Sequence, residues 1–286
     1  MRGAFRKIME ISDILSRHGF RFKKGLGQNF ITDTGLLNAV ARDAGVTKAD
    51  TVVEIGAGAG TLTAALSRAA KSVTAFDVDE TLKPVLDETL RGADNVRVVF
   101  RDVLKTDDEE LVRIIGGEEF KLVANIPYYI TTPLIMRFAE SSLKVKSMTV
   151  MVQEEVARRI AAAPGSSEYG AIGAAIALRG DAKIKRTVPR SVFRPVPNVD
   201  SAVIRIDFYD KFPGADINAV SKLIRAAFQM RRKTLVNNIG ALTAYTKEEA
   251  QAALESIGFD ARVRGEQLSA ADFVALSTAL SEMKRA

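Results

Sequence analysis

The chain has 286 residues, of which 47% are apolar and 27% charged, so it is long enough for two globular domains with cores of their own. It has no cysteine and a single histidine, His18, which excludes disulfides, cysteine nucleophiles and metal sites built from thiolates or histidine clusters. We therefore expect no metal. Residues 1–10 lack the apolar run of a signal peptide, and no run of about eighteen apolar residues follows. We expect a cytoplasmic protein without a membrane-spanning segment.

The formal charge of +6 is concentrated in parts of the chain. Residues 14–32 and 221–240 carry basic residues and no acidic ones, and residues 179–194 are strongly basic. Any one such run can be a solvated surface. Three together favour a polyanionic partner, a nucleic acid in particular.

Short β-rich runs alternate with helical ones through the first two thirds of the chain. We predict helices at 62–70, 82–90 and 109–115, and strands at 51–56, 72–79, 96–102, 121–128, 148–153 and 201–208. This rhythm predicts an α/β fold with a parallel sheet covered on both faces, in which ligands bind beyond the carboxyl ends of the strands. We assign it to a first domain, residues 1–208.

The pattern changes after residue 208. Residues 209–216 resemble a linker, and helical spacing follows at 217–228, 235–239, 248–257 and 271–283 without a strand pattern. We predict a second, all-helical domain over residues 209–286. Its basic run Arg231, Arg232 and Lys233 is the candidate contact for the phosphates of a nucleic acid, although a solvated helix face would look the same.

A glycine-rich turn, EIGAGAG at 54–60, follows the first long strand. Glycines there let the backbone approach a ligand, but sheets that bind NAD use a similar turn. Thr61 stands where a dinucleotide fingerprint has its last glycine, so we predict a nucleoside cofactor without a pyrophosphate. Asp77 and Asp102 end the next two strands and are candidates for its ribose and adenine, with helix N-caps as the alternative.

The motif NIPY closes the fourth strand of this series. An adenine amine is a poor nucleophile because its lone pair is delocalised into the ring. The Asn125 oxygen and a backbone carbonyl, plausibly that of Ile126, can accept its two N–H bonds and aim the lone pair at a methyl donor. Pro127 makes the turn rigid and Tyr128 can stack on the base. A proline turn with a core tyrosine is the alternative.

From about residue 23 to residue 269, these motifs resemble in order and spacing the small-subunit ribosomal RNA adenine dimethyltransferase family, relatives of the erythromycin-resistance rRNA methyltransferases. The resemblance rests on KKGLGQNFI at 23–31, EIGAGAG, Asp77, RDVL at 101–104, NIPYYITTPL at 125–134, FRPVPNVDSAVIRI at 193–206, QMRRKTLVNNI at 229–239 and RGEQLS at 264–269. It implies a Rossmann-like class I S-adenosylmethionine-dependent methyltransferase domain followed by a small C-terminal helical domain.

The resemblance also implies roles for individual residues. The catalytic group is Asn125, Pro127, Tyr128 and Phe193, with Asn125 on the target amine and both rings stacking around the base. The cofactor group is Gln28, Asn29, Ile31, Gly56, Asp77, Asp102, Val103 and Asn125. Many members have glutamate in place of Asp77 and asparagine or glutamine in place of Tyr129.

The activity implied is transfer of methyl groups from S-adenosylmethionine to N6 of two adjacent adenosines near the 3′ end of 16S rRNA, in a partly assembled 30S subunit, by a monomer. The nearest alternative is a large-subunit rRNA methyltransferase of the erythromycin-resistance type. An assembly factor without activity would have a broken glycine turn or lack Asn125. A DNA adenine methyltransferase typically has proline where Ile126 stands, and nothing in the chain suggests the substrate site of a dehydrogenase.

Overall fold

The structure is a computed structural model and describes residues 11–23, 25, 27–31, 33–117, 119–230 and 232–284. By its internal packing the chain divides into two compact units, Met1–Glu154 with Lys185–Arg205, and Glu155–Ile184 with Ile206–Ala286. Within the described ranges, no helix is long and apolar enough to cross a membrane.

The predicted α/β fold is confirmed, with a seven-stranded sheet in the order β4-β3-β2-β5-β6-β9-β7. Its strands are β2 (Thr51–Ile55), β3 (Ser72–Asp77), β4 (Val96–Phe100), β5 (Phe120–Asn125), β6 (Val145–Gln153), β7 (Gly180–Val188) and β9 (Ser201–Phe208). A separate pair joins β1 (Phe30–Ile31) to β8 (Phe193–Arg194) in antiparallel register. All five residues of β2 are buried, as expected of a parallel strand covered on both faces.

The strand order places the ligand-binding edge of the sheet. β2 pairs in parallel with β3 on one side and with β5 on the other, and β3 and β5 pair in parallel with β4 and β6. From β2 the chain therefore adds β3 and β4 on one side, and it then returns to add β5 and β6 on the other side of β2. The carboxyl ends of β2 and β5 flank this switch point, where ligands bind in open α/β sheets.

The first unit contains the helices α1 (Ile11–Arg17), which precedes the first strand, and α2 (Thr34–Asp43), α3 (Thr61–Ala69), α4 (Lys83–Thr89), α5 (Asp108–Ile115) and α6 (Thr131–Ala139), which connect strands. Side-chain caps fix where some of them begin. The Asp33 carboxylate accepts the Leu36 amide at the start of α2, and the Asp107 carboxylate accepts the Glu110 amide at the start of α5. Apolar residues of α2 and α3 pack with β2 in one core.

The second unit is built from helices α7 (Glu154–Ala161), α8 (Ala171–Ala177), α9 (Ile217–Gln229), α10 (Leu235–Leu242), α11 (Lys247–Ser256) and α12 (Ala270–Met283). This division differs from the one expected from the sequence, because residues 155–184 group with the C-terminal helices. The reason is their packing: Tyr169 and Leu178 are buried in one core with Leu223, Leu254 and Phe273.

The strand β7 has no counterpart among the predicted elements. It is the last strand in the sheet order and so forms one edge. Lys183 and Lys185 are exposed along it, and the Ile184 residue between them is 39% exposed. With charged residues where a buried strand has apolar ones, the segment lacks the apolar run that identified the other strands.

Candidate functional site

A cavity of about 400 Å³ lies in the first unit at the carboxyl ends of the central strands. Most of the residues that line it come from five segments, 27–31, 54–59, 76–78, 101–105 and 125–127. The predicted cofactor residues Gln28, Asn29, Ile31, Gly56, Asp77, Asp102, Val103 and Asn125 are all among them.

The glycine-rich turn forms one wall of this cavity, between β2 and α3. Gly56 and Gly58 have φ angles of +81° and +54°, in the left-handed region that disfavours other residues. A side chain at Gly58 would also meet the Phe30 ring at 3.0 Å. The turn is therefore limited to glycine by both its backbone conformation and the close approach of residues 27–31.

Asp77, at the end of β3, is 9% exposed and already organises the backbone. Its Oδ2 accepts the Gly58 amide at 2.7 Å, and its Oδ1 accepts the Asp79 amide at 2.9 Å. Burial raises the pKa of Asp77, and the charge of Asp79 acts in the same direction. Asp77 is not a helix N-cap, since Asp79 caps the short 3-10 helix that follows. Each carboxylate oxygen keeps a further lone pair for a ligand hydroxyl.

Asp102 and Val103 follow β4 and line the cavity together. The Asp102 Oδ1 atom accepts the Leu104 amide at 3.0 Å, so the side chain stabilises its own turn and is not the N-cap of α5. Val103 is 4% exposed and supplies apolar surface.

Asn125 ends β5, and its side-chain amide is held from the N-terminal segment. Its Nδ2 donates to the backbone oxygen of Asn29 at 3.1 Å. This hydrogen bond orients the amide and leaves Oδ1 as an acceptor. Pro127 follows with φ of −55° and ψ of 135° and precedes the 3-10 helix Tyr128–Ile130. Asn125 and Pro127 both line the cavity.

The two predicted stacking rings are not placed at the cavity. Phe193 is 1% exposed and packs in the core, because β8 pairs its backbone with that of Ile31. The expectation that its ring stacks on a base therefore needs correction. Tyr128 is partly buried, with its hydroxyl 2.7 Å from the Ser201 hydroxyl. Three other rings line the cavity, those of Phe30, Phe76 and Tyr129, and of these Tyr129 is the exposed one, at 61%.

Glu54 is a site residue that the sequence prediction missed. It lies in β2, lines the cavity and is fully buried, and neither of its carboxylate oxygens has a hydrogen-bond partner among the described residues. Burial raises the pKa of Glu54 to about 8; the nearby Thr63 hydroxyl opposes the shift, and the charge of Asp77 adds to it. A carboxyl group inside the apolar run TVVEI was the available signal, because an unpaired buried acid is costly without a ligand.

Of the predicted RNA-binding residues, Arg231 lies outside the described residues. Arg232 and Lys233 are exposed in the second unit, in the turn between α9 and α10. This turn ends at Thr234, whose hydroxyl caps α10 by accepting the Asn237 amide. The two basic residues are therefore in a turn rather than on a helix face.

A family model described as ribosomal RNA adenine dimethylase matches residues 19–282 of the chain. The chain is 44% identical over 284 residues to ribosomal RNA small subunit methyltransferase A of Geobacillus thermodenitrificans, with 96% of each chain covered. It is 45% identical over 282 residues to the protein of the same name from Enterococcus faecalis, with 95% of each covered.

Two solved structures are similar over most of the chain. A dimethyladenosine transferase from Plasmodium falciparum superposes with a TM-score of 0.77 at 25% identity, covering 89% of this chain and 98% of that one. The 23S rRNA methyltransferase ErmE superposes with a TM-score of 0.68 at 24% identity, covering 88% and 99%, and shows the fold alone. The relatives named for the small subunit are thus more similar in sequence than the one named for 23S rRNA.

Proposed function

Because the chain belongs to the ribosomal RNA adenine dimethylase family, we propose that it methylates N6 of two adjacent adenosines near the 3′ end of 16S rRNA during ribosome biogenesis. S-adenosylmethionine is the methyl donor, and N6,N6-dimethyladenosine is the product. The observation that carries this proposal is the single cavity that brings Asn125 together with Asp77, Asp102 and the unpaired Glu54.

The residues of the cavity fit S-adenosylmethionine. This cofactor carries positive charge, and the unpaired Glu54 carboxyl is the group in the wall that such a charge would stabilise in its ionised form. The turn at Gly56 accommodates the methionine portion, Asp77 the ribose hydroxyls, and Asp102 with Val103 the adenine. Gln28, Asn29 and Ile31 close the site from the N-terminal segment. When bound, S-adenosylmethionine supplies an electrophilic methyl group on a sulfonium sulfur.

Asn125 holds the target amine. Since its Nδ2 is engaged by the Asn29 carbonyl, its Oδ1 accepts one N–H of the adenine amine, and the Ile126 carbonyl accepts the other. These two bonds draw the nitrogen toward tetrahedral geometry and aim its lone pair. Pro127 keeps the two acceptors in fixed relative position. Catalysis by positioning alone needs no general base before the attack.

The target base requires an apolar surface near Asn125. Tyr129 has the exposed ring at the cavity, and Pro127 and Gly27 pack closely beside it. We assign Tyr129 the stacking contact and Phe193 the support of Ile31 from within the core. Tyr128 holds the turn next to Tyr129, through the contact of its hydroxyl with that of Ser201.

The second unit binds RNA through phosphate contacts of Arg232 and Lys233, together with Arg231 of the same run. The substrate is small-subunit rRNA in a partly assembled 30S subunit, and the protein acts as a monomer. Phosphate contacts of this kind weaken steeply with rising salt concentration.

The test is methyl transfer from labelled S-adenosylmethionine to 30S and to 50S subunits from cells that lack such enzymes, with the labelled nucleoside identified. Dimethyladenosine in 30S subunits alone is the expected result. Asn125→Ala is the control, because at saturating cofactor it should still lower the transfer rate about a hundredfold or more. Label in 50S subunits would instead assign the chain to the large-subunit enzymes, and label in neither would refute the proposal for assembled subunits.

A further inference from the structure

The Asp79 carboxylate accepts more hydrogen bonds than the capping of a helix requires. Its side chain is 1% exposed. The Oδ1 atom accepts from Lys23 Nζ at 2.6 Å and from the Thr81 hydroxyl at 2.5 Å, and Oδ2 accepts from Gln28 Nε2 at 2.9 Å. Capping of the 3-10 helix uses the Thr81 amide. The bonds to Lys23 and Gln28 reach instead to a segment more than fifty residues away in sequence.

That segment leads directly to the catalytic asparagine. Gln28 accepts the Lys23 amide at 3.0 Å through its Oε1, so both ends of its side-chain amide are engaged. The next residue, Asn29, provides the carbonyl that holds the Asn125 Nδ2. On the other side of Asp79, its own amide donates to Asp77 Oδ1. Asp79 thus links the residues proposed for the ribose with those that orient Asn125.

We propose that Asp79 is a positioning residue for methyl transfer, which holds residues 27–31 against the cavity through Lys23 and Gln28 and thereby sets the orientation of Asn125. The effect on Asn125 and on methyl transfer rests on the function proposed above. The effect on residues 27–31 does not, because it is a property of the protein without its cofactor.

The variant Asp79→Asn separates this role from capping. An asparagine can still cap the 3-10 helix through its oxygen. It has one acceptor oxygen where the aspartate has two, so its NH₂ group would face either Gln28 Nε2 or the donors Lys23 and Thr81. Gln28 cannot rotate its amide without losing the bond from the Lys23 amide. The substitution therefore breaks at least one of the bonds to residues 23–28.

The variant Lys23→Met covers the case in which Asp79→Asn fails to fold. The Lys23 side chain is 46% exposed, so its removal leaves the core intact while Asp79 loses its ion pair. Matched controls are Asp87→Asn and Lys83→Met, which make the same chemical changes in an exposed ion pair on α4. The hydrogen bonds between Lys83 and Asp87 lie within α4.

The experiment is amide hydrogen exchange of the cofactor-free variants, followed by calorimetry with S-adenosylmethionine and by the rate of transfer at saturating cofactor. We expect exchange at residues 27–31 to become faster in Asp79→Asn and Lys23→Met, with β2 and α4 unchanged and both controls like the wild type. Affinity for the cofactor should fall about tenfold in Asp79→Asn, and the rate at saturation should fall as well.

Unchanged exchange at residues 27–31 in both variants would overturn the proposal and leave Asp79 as a helix cap. Faster exchange throughout the first unit in Lys23→Met would overturn it too, because that result assigns the ion pair to general stability. If residues 27–31 respond as expected but S-adenosylmethionine does not bind even the wild type, the segment-holding role stands and the proposed function fails.

Discussion

Replacing Glu54 by glutamine should make the cofactor-free protein more stable, and by an amount that depends on pH. The two side chains have nearly the same shape, and the Glu54 oxygens have no hydrogen-bond partner among the described residues. Burial raises the pKa of Glu54 from 4.5 to about 8 in the folded protein, whereas the unfolded chain keeps the ordinary value. Between those two pKa values, the Glu54 carboxyl is ionised in the unfolded chain and stays protonated in the folded protein. Wild-type stability is therefore lost as the pH rises from 4.5 to about 8.

The size of this effect follows from the pKa difference. Each pH unit above 4.5 costs about 1.4 kcal/mol until the pKa of the folded protein is reached. The penalty is therefore about 3 kcal/mol at pH 7 and about 5 kcal/mol above pH 8. Glutamine is neutral at every pH, so the Glu54→Gln variant does not have this stability penalty. Glu54→Gln should thus exceed the wild type in free energy of unfolding by about these amounts, and by little at pH 4.5.

Urea denaturation at pH 5, 7 and 8.5, followed by circular dichroism, measures the difference directly. Asp94→Asn is the control, since it changes an exposed carboxylate of the same unit to an amide and should show no widening gap. Calorimetry should also show that Glu54→Gln binds S-adenosylmethionine more weakly, although it is the more stable protein. A stability difference that does not grow between pH 5 and pH 8.5 would refute this account of Glu54.

Three further substitutions test other parts of the site. Asp77→Ala should weaken S-adenosylmethionine binding about tenfold or more by calorimetry, and unchanged affinity would make Asp77 structural. Tyr129→Ala should raise the KM for 30S subunits about tenfold while Tyr129→Phe retains the wild-type value; equal effects of the two would exclude stacking. Replacing Arg232 and Lys233 by alanine should lower RNA affinity and reduce the slope of log Kd against log salt by about one per lost phosphate contact, and an unchanged slope would remove them from the interface.

The fold could be predicted from the sequence wherever burial leaves a local pattern. The run at 51–56 predicted β2, and the glycines after it predicted the turn that forms the cavity wall. β7 could not be predicted in this way, because an edge strand is solvated and its residues need not be apolar. Residues 155–184 include two helices and the start of β7, and only their long-range packing shows that they belong with the C-terminal helices.

The candidate site was predictable to the extent that its residues follow strand ends. Asp77, Asp102 and Asn125 converge because parallel strands bring their carboxyl ends to one edge. Burial was not predictable from a motif: Phe193 fits a stacking role by sequence, yet its pairing with Ile31 places the ring in the core. The bond from Gln28 to Asp79 joins distant segments and has no local signal.

The charges on β7 have a consequence for how copies of this protein meet. The outer side of an edge strand presents backbone N–H and C=O groups on which a strand of another molecule can add. In β7 the exposed apolar side chain that would favour such strand addition is Ile184, and it lies between Lys183 and Lys185. Two such edges brought together would set lysines against lysines, and the repulsion opposes strand addition. We infer that this basic stretch opposes edge-to-edge association of two copies of the protein.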